Sequence, residues 1–243
     1  MSNEEGASLF GRWANEYDAI YAARGRDIIA EARAIQCILT EHGRRVGDML
    51  DVGCGTGVHL AALADSAGEM VGVDNCREML AIARRNAPRA RLVDADMLEL
   101  DLGRSFDSVI SLFAVLNLTP HEEMERAFGA LSAHLAPGGT LLIEPSVMLE
   151  DLVPPTEDEV EGDASGVRFW RRTSGRIEGD TLIVRFEMRF ERAHGTEHID
   201  EVHRIALRPR AWYRKQMERH GLEWEFRRVA PFPHELLVGK RPG

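Results

Sequence analysis

Lysine is nearly absent from this chain. Only Lys215 and Lys240 occur among 30 basic residues, and 40 acidic residues outnumber them, giving a net charge of −10. A field of that sign repels phosphate backbones, so nucleic acid is not an expected partner. Cysteine is scarce as well. Cys37, Cys54 and Cys76 form no C-x-x-C pair, and their odd number closes no disulfide framework. The setting expected is reduced and cytoplasmic. No stretch approaches the roughly 18 apolar residues of a membrane span. The acidic opening MSNEEGASLFGRW also lacks the apolar run of a secretory signal. The nine histidines include no H-E-x-x-H and no cluster at ligand spacing, so no metal is expected.

What is present suits one large domain, or one domain carrying an insertion. The chain has 243 residues, 44% of them apolar. Residues 9–45 read as helical, with Ile28, Ala32, Ile35 and Leu39 at helical spacing and Gly43 as the stop. From Asp48 the chain alternates. Short apolar strands (MLDVG, EMVGVD, RARLVDAD, SFDSVISLF, TLLIEP) are separated by helical stretches, among them REMLAIARRNAP and HEEMERAFGALSAHLAPGG. That rhythm predicts βαβ units and a doubly wound, mostly parallel α/β sheet. Residues 150–165 are acidic, carry Pro154 and Pro155, and read as a surface loop or lid. Period-two segments near 167–173, 181–191 and 197–207 then predict an inserted antiparallel sheet. In the second of these, Val184, Phe186, Met188 and Phe190 share a face. Pro209 opens a helix that Gly221 ends, and LEWEFRRV and HELLVGK supply two last strands. The expected organisation is a helical cap over 1–45, a core over 46–149 and 209–243, and an inserted sheet with a lid over 150–208.

The stretch LDVGCGTGVHL joins the first strand to a helix. Gly53, Gly55 and Gly57 alternate behind Asp51, letting backbone N–H groups approach a ligand with no Cβ in the way. A dinucleotide fingerprint requires G-x-G-x-x-G, but position 58 is Val, so a ligand without a pyrophosphate fits better. Asp74 ends the second strand, where a carboxylate accepts ribose hydroxyls. Asp96 ends the third, where a carboxylate accepts an adenine N–H while the Met97 backbone N–H donates to a ring nitrogen. All three features sit at strand C-termini, where open α/β sheets bind ligands.

These residues resemble the class I S-adenosylmethionine-dependent methyltransferases. Asp51 with Gly53, Gly55 and Gly57, then Asp74, then Asp96 stand where that family holds its cofactor. The closing hairpin matches the antiparallel end of the family's seven-stranded sheet. The opening NEYDAIYAARGRDIIAEA, with Tyr17, Asp18 and Arg24 to Asp27, is further similar to the amino-sugar N,N-dimethyltransferases of macrolide antibiotic pathways. So are HLAPGGTLLIEP, the antiparallel insertion and EVHRIAL. The resemblance implies S-adenosyl-L-methionine as cofactor and N-methylation, including N,N-dimethylation, of a small-molecule amine by a monomer or homodimer. The chain departs from those relatives at Ala114 to Leu118 and at Ser146 and Val147, where the acceptor is expected to sit.

Methyl transfer from a sulfonium is an in-line displacement. The enzyme must align the nucleophile, exclude water and accept a deprotonated amine. Arg26 is the candidate partner of the cofactor's carboxylate, because Arg binds carboxylates through two parallel bonds. Asn75, Met79 and Phe113 complete the candidate cofactor set. Tyr17, Glu144 and His203 are the catalytic candidates. Glu144 ends the fifth parallel strand, and His203 shares a strand face with Glu201. His121 begins a helix past the fourth strand. O-methylation and peptide N-terminal methylation are the alternatives within the class. An NAD-dependent oxidoreductase and a non-catalytic cofactor-binding protein are the alternatives outside it.

Overall fold

The computed structural model describes residues 10–41, 45–152 and 156–243. Gly43, Pro154 and Pro155 lie outside the described residues. Five parallel strands, β1 (Met49–Val52), β2 (Met70–Asp74), β3 (Arg91–Asp94), β4 (Phe106–Ser111) and β5 (Leu135–Ile143), join β10 (Glu223–Arg227) and β11 (Leu236–Lys240) in one sheet. Its order is β10-β11-β5-β4-β1-β2-β3, with β10 and β11 antiparallel. β1 is buried at every position and β2 at all but its last, as strands covered on both faces must be. The chain leaves β3 and returns to the other side of β1 as β4. The order therefore reverses between β1 and β4, and that reversal opens a crevice at the strand C-termini.

The helices α3 (Val58–Ala62), α4 (Arg77–Asn86), α5 (Met124–Ala133) and α6 (Arg210–Arg219) flank the sheet. Two are shorter than the sequence pattern suggests. α3 stops after five residues. α5 ends at Ala133, and β5 already includes the Pro137–Gly139 segment that reads as a helix stop. The N-terminal helical region is likewise three pieces, a 3-10 turn (Gly11–Trp13), α1 (Tyr17–Ala23) and α2 (Ile28–Leu39). Gly25, with φ +87°, and the Asp27 cap that accepts a bond from Ala30 N separate the two helices.

Between β5 and α6 lies a second sheet of four antiparallel strands, β6 (Thr156–Ala164), β7 (Val167–Glu178), β8 (Thr181–Arg192) and β9 (Gly195–Ala206). The acidic stretch that reads as a loop or lid thus contains strand β6, in full register with β7. The inner face of this sheet and the N-terminal cap share one core. Trp13, Ile20 and Tyr21 pack with Phe169, Val184, Phe186, Met188 and Phe190. Buried Arg171 lies within 4.3 Å of the Phe186 ring centroid and 5.1 Å of that of Tyr21, so cation–π attraction adds to the burial of apolar area. The cap thus packs on the inserted sheet and carries Phe10 and Tyr17 to the edge of the crevice.

Candidate active site

The crevice has two lobes. The larger encloses about 210 Å³, between the ends of β1 to β3 and the segment 115–120. Asp74, Asn75, Met79, Asp96 and Met97 line it. The smaller, about 80 Å³, is lined by Arg26, Asp51, His59 and Phe113. Tyr17, Gly53 and Gly55 border both lobes.

The glycine turn explains the shape. Gly53 N and Cys54 N both donate to Val73 O, tying the turn back onto β2. A Cβ on Gly53 would stand 2.4 Å from the Val115 side chain. At Gly55, φ is +53° and none of the described residues lies within 4 Å of where a Cβ would be, so that space belongs to the crevice. Gly57 lies outside the lining of both lobes. Its Cβ would come within 3.0 Å of Ala83 on α4, so the third glycine serves helix packing. This turn leaves a cradle floored by backbone, which fits the adenosyl and amino-acid parts of S-adenosylmethionine.

Asp74 accepts from Gly55 N and Cys76 N, each at 2.8 Å, and so braces the turn. A carboxylate offers about four acceptor positions, so capacity for a diol remains. Burial pushes its carboxyl up, against the backbone bonds that pull it down. Asp96 accepts from Leu98 N at 2.8 Å, capping the 3-10 turn Met97–Glu99, and from Asn75 Nδ2 at 3.4 Å. Asp51 is 2% exposed, and burial raises its carboxyl to about 7.

Around the smaller lobe runs a chain of charged groups. Arg26 pairs with Glu31 through Nε at 2.7 Å and Nη2 at 2.8 Å, and Nη2 lies 3.4 Å from Glu144. Its guanidinium carbon sits 3.7 Å from the Phe113 ring centroid. His59 Nε2 reaches Glu31 at 2.8 Å. Glu144 accepts from Phe113 N at 2.7 Å, which fixes that residue at its φ of +58°. Burial raises the Glu144 carboxyl, partly offset by Arg26. Asp18 accepts from Thr56 Oγ1 at 2.6 Å, tying α1 to the glycine turn.

Of the three catalytic candidates, only Tyr17 lines the crevice. Burial pushes its phenol well up. Glu144 stands behind Arg26 and Phe113. His203 is separated from the crevice by Phe10, whose ring centroid is 4.7 Å away and which itself lines the larger lobe. Glu201 joins His203, at 3.2 Å, to the Trp13 indole, at 3.1 Å. His121 faces away, against Asp180 O at 2.9 Å in the β7–β8 turn. The expected acceptor segment divides. Val115 and Leu118 line the larger lobe, whereas Leu116 and Asn117 are buried. Asn117 donates to Ala206 O and Tyr213 OH and accepts from Ser146 N, and Val147 packs on the core under the inserted sheet. Glu31, His59 and Phe10 are additions to the candidate set. A glutamate one turn before Ile35, on the buried stripe of α2, is the signal that marks Glu31.

Comparison with known proteins agrees with this geometry. Residues 49–139 match the family described as a methyltransferase domain. The chain is 33% identical over 237 residues, 96% of its length and 92% of the relative's, to a dTDP-3-amino-3,6-dideoxy-alpha-D-glucopyranose N,N-dimethyltransferase from Streptomyces fradiae. It is also 33% identical, over 93% of its length and 96% of the relative's, to a dTDP-3-amino-3,4,6-trideoxy-alpha-D-glucopyranose N,N-dimethyltransferase from Streptomyces venezuelae. Among solved structures, a Micromonospora echinaspora amino pentose methyltransferase of calicheamicin biosynthesis, bound to S-adenosylmethionine, superposes with a TM-score of 0.83. It is 28% identical, covering 99% of this chain and 100% of that one. Sheet order, crevice and relatives define an S-adenosylmethionine-dependent methyltransferase, which sets aside the NAD-dependent reading. The chain belongs to the family of amino-sugar N,N-dimethyltransferases.

Proposed function

We propose that this enzyme methylates the amino group of a nucleotide-linked amino sugar, adding two methyl groups in successive turnovers. The observation that carries this reading is the extent of the likeness. It takes in the cap and the inserted sheet as well as the cofactor core, and the inserted sheet packs on the cap that lines the crevice. Two departures that argue for another acceptor, Asn117 and Val147, are taken up by packing.

In this reading the larger lobe takes the adenosine, with Asp74 toward the ribose and Asp96 and the Met97 backbone toward the adenine. Asn75 and Met79 shape its walls. Asp51 and Arg26 take the ammonium and carboxylate at the far end of the cofactor. When bound, S-adenosylmethionine supplies a methyl group on a good leaving thioether. Tyr17 stands where the lobes meet. Its phenol stays protonated, so it orients the amine by hydrogen bonding, and Phe10 and the cap exclude water. The amine is received neutral, and each turnover sheds one proton from the methylated product. We assign Glu144 and His203 supporting roles, Glu144 on Phe113 and Arg26, His203 on the cap through Glu201.

Mass spectrometry of reactions with a dTDP-linked amino sugar, the free amino sugar and a peptide amine tests this. Successive one-methyl and two-methyl products from the nucleotide sugar are expected, with little turnover of the other two. Methylation confined to a hydroxyl, or a preference for the peptide, would sink the proposal.

A further inference from the structure

We infer that Glu31, steadied by His59, is a positioning residue that aims Arg26 at the carboxylate end of the cofactor. The inference rests on the reading of Arg26 given above. Arg26 occupies the short hinge between α1 and α2, where Gly25 turns the chain and Arg26 N bonds Tyr21 O at 3.0 Å. From that hinge a long side chain has many rotamers and loses entropy on ordering. Two carboxylates compete for it. Glu31 holds Nε and Nη2 in a fork at 2.7 and 2.8 Å, whereas Glu144 is 3.4 Å from Nη2 alone. The fork fixes the guanidinium plane against Phe113 and leaves it lining the smaller lobe. Without it, Arg26 is free to close onto Glu144, and the buried pair so formed competes with an incoming carboxylate.

Glu31 is itself held. It is 3% exposed, lies outside the lining of both lobes, and takes His59 Nε2 on the oxygen it shares with Arg26 Nη2. Burial raises its carboxyl, but the bonds from His59 and Arg26 outweigh burial and keep it low, so the anion persists. His59 comes from α3, immediately after the glycine turn, and Glu31 from α2. The pair therefore fixes the position of Arg26 relative to the turn that receives the other end of the ligand.

Calorimetry with S-adenosylhomocysteine and with 5′-methylthioadenosine, which lacks the amino-acid end, tests this on the full chain. Wild type is expected to prefer S-adenosylhomocysteine. Arg26→Met and Glu31→Gln should each weaken S-adenosylhomocysteine about tenfold or more, leave 5′-methylthioadenosine within about twofold, and combine less than additively. Preference retained in Arg26→Met overturns the reading beneath. Preference lost in Arg26→Met but retained in Glu31→Gln overturns the role of Glu31, as does equal weakening of both ligands. Should Glu31→Gln fail to fold, His59→Ala takes its place, with a smaller loss expected that is again specific to S-adenosylhomocysteine. An equal loss for both ligands there overturns the inference.

Discussion

Binding of S-adenosylhomocysteine should release a proton below neutral pH, with Asp51 as its source. Burial raises the Asp51 carboxyl from 3.8 to about 7, with His59 pulling it down and Asp74 adding to the rise. At roughly 1.4 kcal/mol per pH unit, that gap is a penalty of about 4 kcal/mol on the ionised form in the folded protein. Between about pH 4 and 7 the folded chain holds a proton that the unfolded chain has lost. Stability from this group is therefore full below about pH 4 and declines as pH rises through about 7. An ammonium entering the smaller lobe favours the carboxylate and offsets part of that cost. Affinity should therefore climb with pH from about 6 to about 7.5, by up to about tenfold per pH unit. Calorimetry in buffers of different ionisation enthalpy should count nearly one proton released at about pH 6 and almost none above about pH 8. Asp51→Asn should release none, and neither should wild type with 5′-methylthioadenosine, which has no ammonium. Equal proton counts for wild type and Asp51→Asn would refute the assignment, as would an affinity flat across this range.

Three further perturbations separate site from scaffold. Gly55→Ala places a methyl in the open cradle at φ +53°. It should cost about 1 kcal/mol in a thermal melt while weakening S-adenosylhomocysteine at least about tenfold by calorimetry. Asn117→Leu strands the Ala206 carbonyl and the Tyr213 hydroxyl in the core. Denaturant titration should show a loss of about 3 kcal/mol, with cofactor affinity of the folded fraction changed less than about threefold. His203→Gln should lower kcat by less than about tenfold and leave the shape of the pH–rate profile unchanged, because Phe10 stands between His203 and the crevice. Loss of one limb of that profile would instead make His203 the base.

The cofactor half of the site is legible in the sequence because its grammar is local. Asp51 and Asp74 lie at the C-terminal ends of β1 and β2 and Asp96 just past β3, and Gly53 and Gly55 are required by a turn only a few residues long. Strand β6 is not legible, because Glu157, Glu159, Glu161 and Asp163 give it the composition of a solvated loop. Its pairing comes from the basic strand beside it, with Glu157 meeting Arg172 at 3.4 Å, while Asp158 reaches Arg24 of the cap at 2.7 Å. Cross-strand charge pairs of this kind stabilise a strand that carries little apolar face. The acceptor segment misleads for a related reason. Residues 114–118 lie at the right strand end, but their sequence does not say which side chains turn inward, and Leu116 and Asn117 turn into the core. Glu31 and His59 are 28 positions apart and meet only because α2 packs on α3.

A crystal structure of the protein with S-adenosylhomocysteine tests the central claim most directly. The adenine should lie beside Asp96 and Met97, the ribose hydroxyls on Asp74, and the amino-acid end in the smaller lobe between Asp51 and Arg26. A ligand reversed in the crevice, or one whose carboxylate points away from Arg26, would contradict it.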